Sequence, residues 1–166
     1  MNRIILTLTA IIISVCGFSQ DFEVPKNYKL EKGADYAVYE QDVINCVNWL
    51  MNTSLDVETQ KRKDANAFLL KWLSGSPNLH IEINPEIVTF MSTSPNLLMV
   101  FMGGWAKYSL ETKDFKNKIE GNLAGIESVI DFYVKNKKIL PKDKNVEKYI
   151  KMKEKGTLKK YIKNNA

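Results

Sequence analysis

One stretch of the sequence is apolar on every side of a helix, and it limits the folds open to the chain. It reads Leu97-Leu98-Met99-Val100-Phe101-Met102-Gly103-Gly104-Trp105-Ala106. A helix of this composition must be covered by other elements on all its faces. Ser94-Pro95 before it favours a helix start, because a serine hydroxyl caps free amides and proline fits the first helical position. The sequence therefore predicts a central helix over residues 95–110.

The remaining hydrophobic pattern predicts an all-α fold, a single-domain bundle of about six helices around the central one. Apolar residues recur every three to four positions, as amphipathic helices require, in residues 34–52, 56–73 and 112–138. Asn84-Pro85-Glu86 combines a cap, a proline and an early acid, and it predicts a short helix over residues 84–91.

The parts of the chain on either side of the helical core have a different composition. Residues 21–33 have no helical pattern, and residues 141–166 form a lysine-rich helical segment, so the core spans residues 34–140. Within the core, residues 79–83 alternate apolar and polar side chains, which predicts at most one short strand. A single strand cannot form a sheet, so this segment is an extended connector or pairs with residues 22–24.

Small residues interrupt two of the predicted helices. Gly103-Gly104 lies in the central helix, and Gly121-Asn122-Leu123-Ala124-Gly125 lies in the longest one. Glycine inside a helix costs roughly 1 kcal/mol relative to alanine. We expect the pair to mark a kink or a close backbone approach, and the second group to let a neighbouring helix pack closely.

Residues 1–20 have the pattern of a secretory signal peptide. Arg3 precedes the apolar run Ile4–Val15, which fits a signal of roughly 7–15 apolar residues and is too short for a membrane helix of about 20. We expect cleavage after residue 20, which makes the mature protein periplasmic or extracellular, with no transmembrane anchor. The alternatives are a buried N-terminal helix and a lipoprotein attached through Cys16, which the bulky valine before that cysteine disfavours.

Charge is divided unevenly along the predicted mature chain. Asp21–Val134 has eleven basic and sixteen acidic residues, a net charge of −5, whereas Lys135–Ala166 has twelve and three, a net charge of +9. This asymmetry predicts contact with an anionic surface through lysines near one helical face: Lys148, Lys151, Lys155 and Lys159. The alternatives are a solvated lysine face and an internal contact with the acidic body. Nucleic acid is not expected as the partner of an exported protein.

The sequence offers few residues for catalysis or metal binding. Cys46 is the one cysteine left after signal cleavage and His80 is the one histidine, so we expect no disulfide, no metal site and no cofactor. A thiol hydrolase built on this pair is less favoured than a buried, structural Cys46. The chain has no GxGxxG, GxxxxGK[ST] or GxSxG motif, so nucleotide binding and serine hydrolysis have no support.

The large apolar side chains favour a binding function over an enzymatic one. Tryptophans occur on three predicted helices, with methionines close in sequence. Methionine-rich apolar surfaces form adaptable binding grooves in some proteins, but in a domain of this size such side chains more often belong to the core. The sequence predicts a non-enzymatic exported domain that binds a cell-envelope protein or a small apolar ligand through Trp72, Met102 and Trp105. The alternative is a cell-envelope hydrolase with paired carboxylates, for which Glu82 with Glu86 and Glu127 with Asp131 are the candidates.

Four segments resemble a group of small exported all-helical proteins of Gram-negative bacteria to which no activity is assigned. They are Lys61-Arg62-Lys63…Asn66-Ala67-Phe68, Trp72-Leu73-Ser74-Gly75-Ser76-Pro77, Leu97-Leu98…Phe101-Met102-Gly103-Gly104-Trp105 and Asn122-Leu123-Ala124-Gly125. The resemblance covers most of the predicted mature chain. It implies an exported all-helical domain, and it implies no ligand or catalytic residue.

Overall fold

The apolar periodicity of the sequence corresponds to seven helices within residues 22–166, the part of the chain that the computed structural model describes. They are α1 (Gly33–Val38), α2 (Glu40–Asn52), α3 (Thr59–Gly75), α4 (Leu97–Thr112), α5 (Lys118–Lys135), α6 (Lys144–Glu154) and α7 (Leu158–Asn165). The predicted all-α bundle is confirmed. The predicted signal peptide and Cys16 lie outside the described residues.

Helix α4 is the central element, as its composition predicts. It packs against α2, α3 and α5, and half of its positions are buried: Leu97, Phe101, Gly103, Gly104, Trp105, Ala106, Ser109 and Leu110. None of the described helices is both long and apolar enough to cross a membrane.

The small residues bring the backbones of α4 and α5 close together. A Cβ atom added to Gly104 would lie 2.9 Å from the carbonyl oxygen of Ala124, and one added to Gly125 would lie 2.9 Å from that of Phe101. Real Cβ atoms almost never approach other atoms this closely. The predicted close helix packing is therefore confirmed, and α4 continues unbroken through its glycine pair.

The first predicted helix is two helices. Tyr39 separates α1 from α2 with φ −99° and ψ 6°. Its ring packs edge-on against Tyr28 and Phe68, at 6.3 Å between ring centroids in each pair. This break lets the aromatic side chain reach the core while α2 keeps its own buried face of Val43, Cys46, Val47, Trp49 and Leu50.

Residues 76–96 contain neither helix nor strand, so the short helix predicted at residues 84–91 is wrong. The segment forms successive turns, and two of its carbonyl groups bind side chains of α6. Tyr149 donates a hydrogen bond to the carbonyl oxygen of Ile87 at 2.6 Å, and Asn145 donates one to that of Thr89 at 3.0 Å. Residues 79–83 are an extended connector, one of the two alternatives left by the sequence.

The lysine-rich end of the chain is an integral part of the bundle. Helices α6 and α7 pack on α5 and on each other, and they bury Val146, Tyr149, Leu158 and Ile162. The turn between them is at Gly156, whose φ of +66° is a left-handed conformation that suits glycine. The segment is therefore held by the core through its apolar face.

Candidate functional site

An apolar pocket lies between α2, α3 and α4, and Phe132 of α5 contributes to its wall. Its volume is about 350 Å³, within the range of roughly 300–1,000 Å³ that small-molecule sites have. We call this cavity the interhelical pocket. The side chains that line it from α2 and α4 are apolar: Val47, Leu50, Met51, Met99 and Val100.

The floor of the interhelical pocket is part of the hydrophobic core. Val47 and Leu69 are 2% and 0% exposed, and both line the cavity. Gly103 lines it between them, and a Cβ atom there would lie 3.3 Å from Val47 and 3.5 Å from Leu69. The absence of a side chain at this position of α4 therefore helps to leave space at the floor.

The rim of the interhelical pocket is polar and more exposed. It comprises Thr59, Arg62, Lys63, Asn66 and Asn96, of which Thr59, Lys63 and Asn96 are exposed. Within residues 22–166, no aspartate or glutamate lines the cavity. The pocket thus combines an apolar interior with a rim that carries two positive charges.

Arg62 connects the rim to the end of α2. Its Nη2 donates hydrogen bonds to the carbonyl oxygens of Thr53 at 2.6 Å and Ser54 at 3.2 Å, and Nη1 donates one to that of Leu50 at 3.2 Å. The guanidinium carbon lies 5.6 Å from the ring centroid of Trp49 and 5.9 Å from that of Phe132. Burial lowers the pKa of Arg62 from its ordinary value, but a guanidinium stays charged in proteins.

The charges of Arg62 and Lys63 have no carboxylate counterpart within residues 22–166. Arg62 binds carbonyl groups, its Nε–H has no acceptor there, and Lys63 makes no ion pair there. The neighbouring Lys61 differs, because it contacts the carboxylates of Glu23 and Glu58 at 3.6 Å each. The positive charge at the rim is therefore available to a bound anion.

The three side chains predicted to form a binding groove are not brought together at this pocket. Trp72 and Trp105 are 1% and 2% exposed, and Met102 is partly buried against the core. The Trp72 indole donates a hydrogen bond to the Tyr36 carbonyl at 3.0 Å, and the Trp105 ring packs edge-on against Phe101. None of the three lines the interhelical pocket.

The four lysines predicted to face an anionic surface differ in their contacts. Lys148, Lys151 and Lys155 line one shallow depression on α6, and the Lys148 ammonium lies 5.0 Å from the ring centroid of Tyr161. Lys159 instead pairs with Glu120 of α5. Part of the lysine-rich segment therefore contacts acidic residues of the protein itself, which is the alternative to contact with an anionic surface.

Three of the four candidate carboxylates are in surface ion pairs. Glu127 and Asp131 both contact Lys153 of α6, at 3.8 Å and 3.3 Å, and Glu82 pairs with Lys118. Within residues 22–166, no three histidine, cysteine, aspartate or glutamate side chains lie close enough to hold a metal ion.

The thiol and the imidazole are in opposite environments. Cys46 is 0% exposed, and its thiol donates a hydrogen bond to the Ala65 carbonyl at 3.4 Å. Burial, with a smaller effect from Asp42, raises the pKa of this thiol to about 12. His80 is exposed. A reactive cysteine needs a lowered pKa and access to solvent, so this environment suits a structural thiol.

One buried carboxylate, Asp143, joins α6 to the turns before α4. Its carboxylate accepts hydrogen bonds from the hydroxyls of Thr93 at 2.5 Å and Ser94 at 2.7 Å, and from the backbone N–H groups of Asn145 and Val146. Burial acts to raise the pKa of Asp143, but these hydrogen bonds outweigh it and the pKa lies below its ordinary value. A general acid needs the opposite shift.

Comparison with known proteins adds no family to this description. No protein-family model, curated protein or solved structure matches the chain.

The interhelical pocket does not follow from the sequence, although some of its residues belong to visible patterns. Val47, Leu50 and Met51 belong to the apolar face of α2, which packs against more than one neighbouring helix. Arg62 and Lys63 appeared as part of a charged run on a predicted helix. Only the packing of three helices places these two features on opposite sides of one cavity.

Proposed function

We propose that this protein is an exported, non-enzymatic helical domain that binds a small apolar ligand in the interhelical pocket. The observation that supports the proposal is the cavity of about 350 Å³, whose floor is formed by the core side chains of Val47 on α2 and Leu69 on α3 and by Gly103 of α4. Ligand sites of this kind are largely preformed, apolar and equipped with a few polar groups. A cell-envelope protein as the partner is the alternative within the same class.

Export is supported by the signal pattern of residues 1–20. Mass spectrometry of the protein from its native cells should find Asp21 as the N-terminal residue, without added acyl mass. A full-length cytoplasmic species contradicts this part of the proposal.

The binding proposal is tested with a neutral fluorescent probe, N-phenyl-naphthylamine, which brightens in apolar surroundings. Val100 lines the interhelical pocket, so Val100→Trp should fill it and weaken binding of the probe by about tenfold or more, which corresponds to the loss of a few buried CH₂ contacts. Leu70→Trp is the control, because Leu70 lies on α3 with 49% exposure and does not line the pocket.

Three results distinguish the explanations. Binding to the wild type and to Leu70→Trp, together with weak binding to a folded Val100→Trp, supports the pocket. Equal binding to all three proteins, or binding to none, contradicts it. Circular dichroism and thermal unfolding verify that each variant is folded.

A further inference from the structure

We infer that the ligand of the interhelical pocket is a single-tailed anionic amphiphile, an apolar chain that ends in a carboxylate. This inference rests on the proposed function, since it concerns the same cavity. It adds the chemistry of the head group, which the apolar walls alone do not determine.

The distribution of polarity in the pocket carries the inference. Val47, Leu69 and Gly103 make an apolar floor, whereas the charged side chains Arg62 and Lys63 are on the rim. An elongated ligand therefore places its tail against the floor and its head group at the rim. A polar head group at the rim keeps its contact with solvent and with the charged side chains, whereas burying it against the apolar floor would cost free energy.

The positive charge of the rim favours a ligand with an anionic head group. Two cations and no carboxylate line the cavity within residues 22–166, and Lys63 makes no ion pair there. The carbonyl groups at the end of α2 offset part of the Arg62 charge. Lys63 is exposed and has no such contact, so it contributes the larger unbalanced charge. Hydrogen bonds between ionised partners are about twice as strong as neutral ones.

The neutral rim residues are consistent with a carboxylate. Thr59, Asn66 and Asn96 supply hydroxyl and amide donors beside the two cations. A cationic head group at the same place lies next to like charges, which disfavours it.

The inference is tested with three probes that share a twelve-carbon tail and differ in head group: dodecanoate, dodecanol and dodecylammonium. Isothermal titration calorimetry at low ionic strength, below the micelle concentrations, should rank their affinities in that order. Dodecanoate should bind about tenfold more tightly than dodecanol, and added salt should reduce that ratio because it screens the head-group contacts.

Variants of Lys63 test whether the rim causes the preference for an anionic head group. Lys63→Gln should weaken dodecanoate about threefold to tenfold and leave dodecanol unchanged, and Lys63→Glu should abolish the preference for the anion. Lys71→Gln is the matched control, because Lys71 is an exposed lysine of the same helix that lies over the ring of Tyr28 and does not line the pocket. Arg62 is avoided as the primary test, since its substitution also removes three hydrogen bonds to carbonyl groups at the α2–α3 junction.

The outcomes separate this inference from the proposed function. If dodecanol binds as tightly as dodecanoate, the anion preference is wrong while the apolar pocket stands. If dodecanoate is preferred but Lys63→Gln and Lys71→Gln have equal effects, the head group is not at this rim and the inference is also wrong. If no probe binds, both the inference and the proposed function fail.

Discussion

Single residues in this bundle show how local surroundings give the same kind of group different roles. The carboxylates of Asp131 and Glu127 share an exposed lysine, and such contacts contribute little to stability. The carboxylate of Asp143 is 2% exposed and accepts four hydrogen bonds from two parts of the chain. The contribution of Asp143 to stability should therefore be much larger, and its role is structural.

Replacing Asp143 with alanine should lower the free energy of unfolding by about 3 kcal/mol at neutral pH. The change removes the N-terminal cap of α6 and leaves the buried hydroxyl of Ser94 without this acceptor. Asn117→Ala is the control, because Asn117 caps α5 with one hydrogen bond, to the N–H of Glu120, and should cost about 1 kcal/mol. Urea denaturation measures both values, and equal losses contradict the larger role of Asp143.

The contribution of the Asp143 charge should depend on pH. Its pKa in the folded protein is below the ordinary value of 3.8, so the unfolded chain takes up a proton first as the pH falls. The stability due to the charge is therefore fully present above about pH 5 and is lost as the pH falls through 3.8 towards the folded pKa. The difference in unfolding free energy between the wild type and Asp143→Asn should shrink over that range. A difference that stays constant contradicts this assignment.

Among the helices, periodicity predicts the elements whose partners are apolar surfaces, whereas the helix-start motif at residues 84–86 gives a wrong prediction where the partners are polar side chains. The central helix follows from the composition of residues 97–106 alone. The turns at residues 84–91 do not, because the Ile87 carbonyl, which would accept the N–H of Met91 in a helix, accepts the hydroxyl of Tyr149, more than fifty positions away. The interhelical pocket was missed for a related reason, since its shape depends on how three helices are placed.

The close contact between α4 and α5 should make Gly125 sensitive to substitution. Gly125→Ala should lower the free energy of unfolding by about 1–3 kcal/mol, the usual cost of overpacking, although alanine is the better helix former. The reason is that its Cβ atom would meet the carbonyl oxygen and the ring of Phe101. Thermal unfolding should show a melting temperature lower by several degrees.

Gly33→Ala is the matched control for the helix contact. A Cβ atom at Gly33 would lie 3.6 Å from Pro77, which is ordinary van der Waals contact. Its effect should lie within about 0.5 kcal/mol of zero. If the two alanine variants have the same stability, α5 can move away from α4 at little cost in free energy. The glycines are then not needed for a close approach of the two backbones.

Across the whole bundle, residues 135–166 carry a net positive charge and the part of the chain before them a net negative one, and the fold determines how much of the positive charge pairs internally. Lys153 and Lys159 contact acidic residues of α5. Lys148, Lys151 and Lys155 remain on the exposed side of α6, where they make no ion pair within residues 22–166. A contact with an anionic surface should therefore use these three lysines and not Lys159.

The face of α6 that carries Lys148, Lys151 and Lys155, here called the lysine face, should bind anionic lipid vesicles. Each lysine near such a surface contributes about 1 kcal/mol, so three together should give binding that sedimentation detects at low salt. Physiological salt, with a Debye length of roughly 8 Å, should weaken it strongly. Removing the segment is not a suitable test, because Val146, Tyr149, Leu158 and Ile162 are part of the core.

Substitution of the three lysines by glutamine keeps the apolar face of α6 and removes the three charges, together with the contact of the Lys148 ammonium with the Tyr161 ring. This triple variant should lose most of its binding to anionic vesicles, and neither protein should bind neutral vesicles. A second triple variant, with glutamine at the exposed Lys137, Lys138 and Lys163, has the same net charge and is the control. Equal losses in the two triple variants mean that net charge and not the α6 face drives binding, and absence of binding to anionic vesicles at low salt means that the lysines serve only solubility.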